Sequence, residues 1–146
     1  MQSLERALRA IAQNIEPKKA QKEAAARSHL HLRALLHEGQ MGRRIVADYL
    51  SGSYARGTAT RPLGDVDVIF LIDPEQWARG LLNFSDKPEP SAVLKTFASA
   101  LGHRYENSSA FSQRRSIRLE LDHVHIDWVL SHWRSSSLLV YAENFD

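Results

Sequence analysis

The apolar run from Asp65 to Ile72 constrains the fold of this chain more than any other segment. It reads Asp-Val-Asp-Val-Ile-Phe-Leu-Ile, and β-branched and aromatic residues of this kind predict a strand. Side chains alternate between the two faces of a strand, so Asp65 and Asp67 leave the same face, about 7 Å apart along the chain. Val66, Val68 and Phe70 go to the other face, into the core, so the two carboxylates lie on the face opposite the core.

Two helices are predicted before this strand. The first carries an apolar stripe at helical spacing, formed by Leu4, Leu8, Ile11 and Ile15. Glu16-Pro17 interrupts it, because the residue before proline avoids the helical region. The second helix runs from about Pro17 to Glu38, with Gly39 as its C-cap. We expect exposed side chains at its three histidines, His29, His31 and His37, whose spacings build no convincing metal site.

Further strands and one more helix follow. Residues 45–50 are interpreted as a helix end or a short strand, and residues 83–90 as a loop. Residues 90–100 have the pattern of a helix. Its inward side is formed by Val93, Leu94, Phe97 and the following Leu101. Residues 116–121 and 124–130 alternate at period two around a two-residue turn, which predicts a hairpin.

This order of elements predicts an α/β (α+β) fold, in which a mixed sheet packs against helices. The length of 146 residues suits a single domain, 1–146. Within it, residues 1–40 form a two-helix N-terminal extension, and residues 41–146 form the sheet and helices that carry the chemistry. The composition, 43% hydrophobic and 25% charged, is that of a soluble globular protein.

Composition also excludes several classes of protein. The chain has no cysteine, which excludes disulfide scaffolds, thiolate zinc sites and cysteine nucleophiles. No apolar run approaches the roughly 20 residues that a membrane span needs, so we expect no membrane partner. The first residues carry charge where a signal peptide would be apolar, and we therefore expect a cytoplasmic protein.

Charge is divided unevenly along the chain. Residues 1–64 hold 11 Lys and Arg against 5 Asp and Glu, whereas residues 65–146 hold 8 against 12. A basic half suits phosphate-bearing ligands, although a solvated helix surface is the more ordinary interpretation. The same two interpretations apply to a nucleic-acid surface on the second helix, formed by Lys18, Lys19, Lys22 and Arg27.

A third carboxylate joins the first two if the strands are neighbours. Asp127 alternates with Ile126 and Trp128 on the second strand of the hairpin, and Trp128 is expected in the core. Hard cations such as Mg²⁺ take oxygen ligands and phosphate oxygens. Three converging carboxylates are what a two-metal phosphoryl-transfer site requires, with the metals about 3.5–4 Å apart.

Phosphate-binding residues are expected upstream of the carboxylates. Gly52 lets the backbone approach a phosphate closely, and the Ser53 hydroxyl can donate a hydrogen bond to it. Arg56 and Arg61 in the connecting loop can neutralise a triphosphate through bidentate contacts. Three further arginines precede or enter the hairpin: Arg114, Arg115 and Arg118. In one interpretation they reach a triphosphate as well.

Residues 52–58, Gly-Ser-Tyr-Ala-Arg-Gly-Thr, followed by Asp65-Val66-Asp67-Val68, resemble the signature of DNA polymerase β-like nucleotidyltransferases. Within that superfamily the chain most resembles the bacterial CD-NTases, which make cyclic di- and trinucleotide second messengers in anti-phage defence. The resemblance reaches from the N-terminal helices to residues 124–129 and implies a polymerase β-like nucleotidyltransferase core.

The resemblance also implies a role for each motif residue. Asp65 and Asp67 would ligate two Mg²⁺ ions, with Mn²⁺ as a possible substitute. Asp127 would complete the second metal site and favour deprotonation of the acceptor hydroxyl. Ser53 would hold the terminal phosphates of a nucleoside triphosphate such as ATP or GTP. The other nucleotide-binding residues of this motif would be Gly52, Arg56, Thr58 and Arg61. Nucleic acid would not be required as a partner.

Three functions remain open. The resemblance favours a synthase that joins nucleoside triphosphates into a cyclic or linear oligonucleotide messenger. Such enzymes usually continue into a helical domain, but only nineteen residues follow Asp127. We therefore expect a truncated or split chain, one that works with a partner chain, or a degenerate copy. The alternatives are a minimal toxin–antitoxin-type enzyme that transfers AMP to a partner protein, and a catalytically silent module that binds a nucleotide or a partner.

Overall fold

The structure is a computed structural model that describes residues 2–39, 41–73, 90–105, 109–112, 116–134 and 137–140. Its α-helices are α1 (Gln2–Ile15), α2 (Lys19–Glu38), α3 (Gly52–Ala55) and α4 (Pro90–Gly102), and a 3₁₀ turn covers Gly42–Arg44. Its strands are β1 (Ile45–Ser51), β2 (Asp65–Ile72), β3 (Ser109–Ser112), β4 (Ile117–Glu120), β5 (His125–Arg134) and β6 (Ser137–Val140).

Within the described residues these six strands form one mixed sheet, in the order β1-β2-β5-β4-β3. The β2–β5 pair is parallel, and the β1–β2, β3–β4 and β4–β5 pairs are antiparallel. Strand β6 pairs with residues 131–134 of β5. Since β2 occupies one edge of β5 up to His132, β6 continues the sheet on the β4 side.

The core lies between one face of the sheet and helices α2 and α4. Alternate residues of β2, β4 and β5 enter it, and Val66, Val68 and Phe70 have no exposed surface. Trp128 on β5 is also fully buried, with its ring centroid 5.6 Å from Phe70 and 6.2 Å from Phe97 on α4. The predicted core position of Trp128 and the inward face of α4 are both confirmed.

Most predicted elements are confirmed, including the α/β class. The strand from Asp65 to Ile72 has the predicted bounds, and Leu121 N–H donates to the Val124 carbonyl at 3.1 Å where the hairpin turns. Residues 45–51 form a strand, which decides between the two interpretations of that segment. The predicted loop at 83–90 lies outside the described residues, apart from Pro90, which begins α4.

On two helices, the side chains that are buried differ from those that the sequence pattern predicts. The apolar stripe of α1 faces outward, and each of its four members, Leu4, Leu8, Ile11 and Ile15, is about half exposed or more. On α2, the expectation of exposed histidines is wrong for His29, which is only 4% exposed because it lies between the helix and α3. None of the described helices has the length and apolar character needed to cross a membrane.

Candidate functional site

The register of the parallel β2–β5 pair brings the predicted carboxylates to one face of the sheet. Asp67 lies directly opposite Asp127, and Asp65 lies opposite His125. Their neighbours along the strands, Val66 and Ile126, are fully buried on the other face. The acidic face therefore lies opposite the core, and the condition for the third carboxylate, that the two strands are neighbours, is met.

The three carboxylates differ in their surroundings. The Asp65 side chain is 54% exposed, whereas the Asp127 side chain is 16% exposed. Burial raises the pKa of Asp67 above its usual range, and the negative charges of Asp127 and Asp65 raise it further. A cation bound at this face would favour the charged form of Asp67.

Arg118 lies among these carboxylates. It faces Asp127 across the antiparallel β4–β5 pair, and its Nε and Nη2 donate to Asp127 Oδ1 and Oδ2 at 2.9 and 2.5 Å. The same Nη2 lies 3.5 Å from Asp65 Oδ1. The hydrogen bond to Asp127 raises the pKa of the guanidinium, which stays charged. His125 adds a weaker contact, with Nδ1 3.6 Å from Asp65 Oδ1.

Helix α3 places the Gly52-Ser53 pair beside the carboxylates. Gly52 has a φ of 68°, and a Cβ at this position would overlap the Asp67 carboxylate. Glycine is therefore required here for its conformation and for the close approach of the backbone to β2. Because Ser51 pairs with Asp67, Ser53 follows the strand end at the acidic face.

Backbone contacts close the segment after α3 onto Ser53. The N–H groups of Thr58 and Ala59 donate to the Ser53 carbonyl at 2.9 and 3.2 Å, and the Thr58 hydroxyl lies 3.5 Å from the same oxygen. None of these contacts uses the Ser53 hydroxyl, which can donate a hydrogen bond to an incoming phosphate. The structure thus brings Gly52, Ser53 and Thr58 together.

A contact that sequence reasoning missed joins α3 to α2. The His29 ring meets the edge of the Tyr54 ring with centroids 5.6 Å apart, and the Tyr54 hydroxyl donates to the Lys22 carbonyl at 3.4 Å. Burial lowers the pKa of His29, and the charge of Arg33 lowers it further. The sequence indicated one half of this contact, since Tyr54 lies inside the quoted motif, whereas the burial of His29 is known from the structure.

The two loop arginines have different positions. Arg56 is exposed, and its charge acts on Asp67 by lowering the pKa of that carboxyl. Arg61 instead binds the end of α1, where its guanidinium donates to the Glu16 carbonyl at 2.9 and 3.1 Å and to the Gln13 carbonyl at 3.3 Å. The structure therefore does not bring Arg61 to the carboxylates. Of the hairpin arginines, only Arg118 falls within the described residues.

The donor set fits a divalent metal in its chemistry. Mg²⁺ prefers hard oxygen ligands, which the carboxylates of Asp65, Asp67 and Asp127 offer. A bound cation would also relieve the repulsion among these three carboxylates. As the side chains stand, no group of three or more His, Cys, Asp or Glu among the described residues is arranged to hold a metal ion. Two of the three carboxylates are engaged by Arg118.

Solved structures share this fold at low sequence identity. CdnC of E. coli MS115-1, solved in a complex with HORMA-deltaN, is 22% identical, with a TM-score of 0.65 over 92% of this chain and 45% of CdnC. The CD-NTase CdnG of Bradyrhizobium diazoefficiens, solved in complex with GTP, is 23% identical, with a TM-score of 0.64 over 85% of this chain and 36% of CdnG.

The Rhodothermus marinus c-UMP-AMP synthase CdnE, solved with Apcpp and Upnpp, is 18% identical, with a TM-score of 0.56 over 83% of this chain and 44% of that enzyme. The chain thus spans less than half the length of these three proteins. A search of curated proteins gave no match.

The comparison with protein families gives a match over nearly the whole chain. The model of the Second Messenger Oligonucleotide or Dinucleotide Synthetase domain (SMODS) covers residues 1–131, which include every element from α1 to most of β5. This span contains the α3 turn, the three carboxylates and Arg118. With CD-NTases as its structural neighbours, the chain belongs to the SMODS family of nucleotidyltransferase domains.

Proposed function

We propose that this chain is the core of a divalent-metal-dependent nucleotidyltransferase that joins nucleoside triphosphates into a cyclic or linear oligonucleotide second messenger. One observation carries the proposal. Asp67 is in register with Asp127 on neighbouring parallel strands, and the backbone of Gly52 lies against the Asp67 carboxylate. A phosphate held by the α3 turn would therefore lie beside the carboxylates.

The carboxylates have the main role in this proposal. Asp65, Asp67 and Asp127 would hold two Mg²⁺ ions, or Mn²⁺ in their place. When bound, such ions polarise phosphoryl oxygens and orient the attacking and leaving groups. Asp127, the less exposed of the two carboxylates that contact Arg118, would favour deprotonation of the acceptor ribose hydroxyl. Proteins accelerate phosphoryl transfer mainly by positioning the reactants and by stabilising the charge that develops on them.

The α3 turn would bind the triphosphate. The Ser53 hydroxyl would donate to the terminal phosphates, while Gly52 and Thr58 maintain the shape of the turn that presents it. Arg56 is exposed beside the carboxylates and would neutralise phosphate charge. The same role was expected of Arg61, and it requires the guanidinium to leave the end of α1.

A second unit of structure would complete the site. The acidic face lies opposite the core, with the Asp65 side chain 54% exposed, and the chain spans less than half the length of its structural relatives. We propose that another domain or a partner chain covers the nucleotides at this face. A role in anti-phage signalling and a location in the cytoplasm are part of the same proposal and rest on the family.

Binding and product formation test the proposal in sequence. Calorimetry with Mg²⁺ and each of the four ribonucleoside triphosphates should show binding to the wild-type chain. Asp67→Asn should abolish it, since this change removes a ligand charge at constant size. Asp122→Asn is the matched control, because Asp122 is exposed in the hairpin turn. Equal binding by both variants would contradict the assignment of the site.

Labelled triphosphates then distinguish the reactions. A phosphatase-resistant small nucleotide that is lost in Asp67→Asn would support the synthase. Label on protein would instead support AMP transfer to a partner. Metal-dependent nucleotide binding without any product would support the catalytically silent module.

A further inference from the structure

The positive charge of Arg118 pairs with the carboxylates of Asp127 and Asp65 in place of a bound cation. Its guanidinium uses both oxygens of Asp127 in a two-pronged contact and extends to Asp65 at 3.5 Å. A planar guanidinium forms this fork with carboxylates and phosphates alike, so a phosphate can replace a carboxylate as its partner. Arg118 thus contacts two of the three residues that the proposed function assigns to the metal.

The surroundings of Arg118 allow its side chain to change partners. Its strand is anchored by Ile117 and Leu119, both fully buried on the opposite face, so the backbone does not depend on the ion pair. The Arg118 side chain is 26% exposed and lies on the acidic face with Asp65 and Asp127. The guanidinium can therefore turn toward a ligand at this face while β4 stays in place.

We propose that Arg118 and the divalent cation compete for the Asp127 carboxylate, so that metal binds tightly only together with a nucleoside triphosphate. The inference rests on the proposed function. A guanidinium and a divalent cation repel each other when they share the same oxygens. A triphosphate offers the displaced guanidinium a new bidentate partner. Arg118 thereby couples the two ligands, and the coupling is reciprocal: each ligand raises the affinity for the other by the same factor.

Mn²⁺ titration followed by electron paramagnetic resonance tests the coupling without any turnover. The signal of free Mn²⁺, corrected for the Mn²⁺ that each analogue binds by itself, gives its affinity for the chain, alone and with the α,β-methylene analogues of the four triphosphates. For the wild-type chain we expect the analogue that binds to raise the Mn²⁺ affinity about 5–150-fold, the usual range of coupling between sites. Equal Mn²⁺ affinity with and without every analogue would overturn the inference, and this result needs no variant.

Arg118→Met keeps an unbranched side-chain stem and removes the guanidinium, with its charge and its fork. We expect this variant to bind Mn²⁺ alone about tenfold more tightly or better, with the coupling factor reduced correspondingly. Arg56→Met is the matched control. It also removes a positive charge that acts on Asp67, but not the contact with Asp127. An equal gain in both variants, or unchanged Mn²⁺ affinity in Arg118→Met, would overturn the competition for Asp127. Circular dichroism verifies that each variant is folded.

The proposed function and this inference fail in different ways. If neither the wild-type chain nor Arg118→Met binds Mn²⁺ under any condition, the metal site itself is wrong and both proposals are overturned. If both bind Mn²⁺ in a manner that Asp67→Asn abolishes, but without coupling to the analogue, only the role of Arg118 is overturned.

Discussion

Gly52 and Gly57 share a backbone conformation but differ in what surrounds them. Both have a φ of 68°. A Cβ at Gly52 would overlap the Asp67 carboxylate, whereas nothing lies within 4 Å of one at Gly57. The two positions therefore separate the conformational cost of alanine from the cost of moving the α3 turn away from β2.

Gly57→Ala should lower the free energy of unfolding by about 1–2 kcal/mol, the cost of a side chain in the left-handed region. Gly52→Ala should cost more than this. It should also weaken triphosphate binding on the order of tenfold, because it displaces the α3 turn. A loss of about 1.4 kcal/mol of binding free energy corresponds to that factor. Urea unfolding and calorimetry check both values. Equal effects of the two substitutions on stability and on binding would contradict the contact with Asp67.

His29 makes the stability of the fold depend on pH. It is 4% exposed, its Nδ1 has no hydrogen-bond partner among the described residues, and burial lowers its pKa below the ordinary value of 6.5. The unfolded chain therefore takes up the proton first as the pH falls. The free energy of unfolding should rise with pH toward 6.5 and level off above it.

His29→Phe should remove this contribution, because phenylalanine keeps a ring against Tyr54 and does not titrate. Urea unfolding at several pH values between 8 and 5 should show a shallower loss of stability for this variant than for wild type. His103→Phe, at an exposed position after α4, serves as the control and should keep the wild-type slope. A wild-type slope in His29→Phe would show that another group causes the pH dependence.

At the scale of elements, an ion pair and a hydrogen bond join α2 to the edge strand β1. Asp48 is in register with the buried Phe70, so its side chain points toward the helices, and it is only 8% exposed. It forms an ion pair with Arg33 and a hydrogen bond with His37, whose Nε2 lies 2.5 Å from Asp48 Oδ2. Because Asp48 is mostly removed from water, the two contacts position α2, and with it the His29 support of α3.

Asp48→Asn should lower the free energy of unfolding by about 1.5–3 kcal/mol, the usual value of hydrogen bonds to a charged group. The exposed Lys19–Glu23 pair, at 3.7 Å, provides the control. Glu23→Gln should change stability by less than about 1 kcal/mol, since surface pairs contribute little. Thermal or urea unfolding distinguishes the two. Equal, small effects would show that α2 does not depend on its pairs to β1.

For the whole molecule, the two N-terminal helices differ in how deeply their leucines are buried. Leu8 on α1 is 56% exposed, whereas Leu32 on α2 is fully buried in the hydrophobic core. Helix α2 is therefore part of the core. Helix α1 lies outside it, with contacts to the rest of the chain that include the hydrogen bonds from Arg61 to its last turn.

Leu32→Ala should destabilise the protein by about 2–5 kcal/mol, because it leaves a cavity in the core. Leu8→Ala should stay within about 0.5 kcal/mol of wild type, as substitutions of exposed residues usually do. Urea unfolding at two protein concentrations measures both. A cost above about 1 kcal/mol for Leu8→Ala that grows with concentration would show that another copy of the chain covers α1.

The sequence by itself determined the elements with strong local patterns. The bounds of β2, the hairpin of β4 and β5, and the two faces of β2 follow from β-branched composition and alternation, which act over a few residues. The fold family also follows from sequence, because the Gly-Ser turn and the Asp-x-Asp strand keep a recognisable spacing. The placement of Asp65 and Asp67 on one face needed no more than the pleat of the strand.

Only the tertiary structure decided which of these pieces meet. The register of β2 with β5 places Asp67 beside Asp127, although sixty residues separate them, and the β4–β5 register places Arg118 on the same carboxylate. The same holds for burial: His29 is covered and the α1 stripe is not, because periodicity shows which face is apolar but not what covers it. Contacts between distant segments depend on how sheet and helices pack together, and no local pattern encodes that packing.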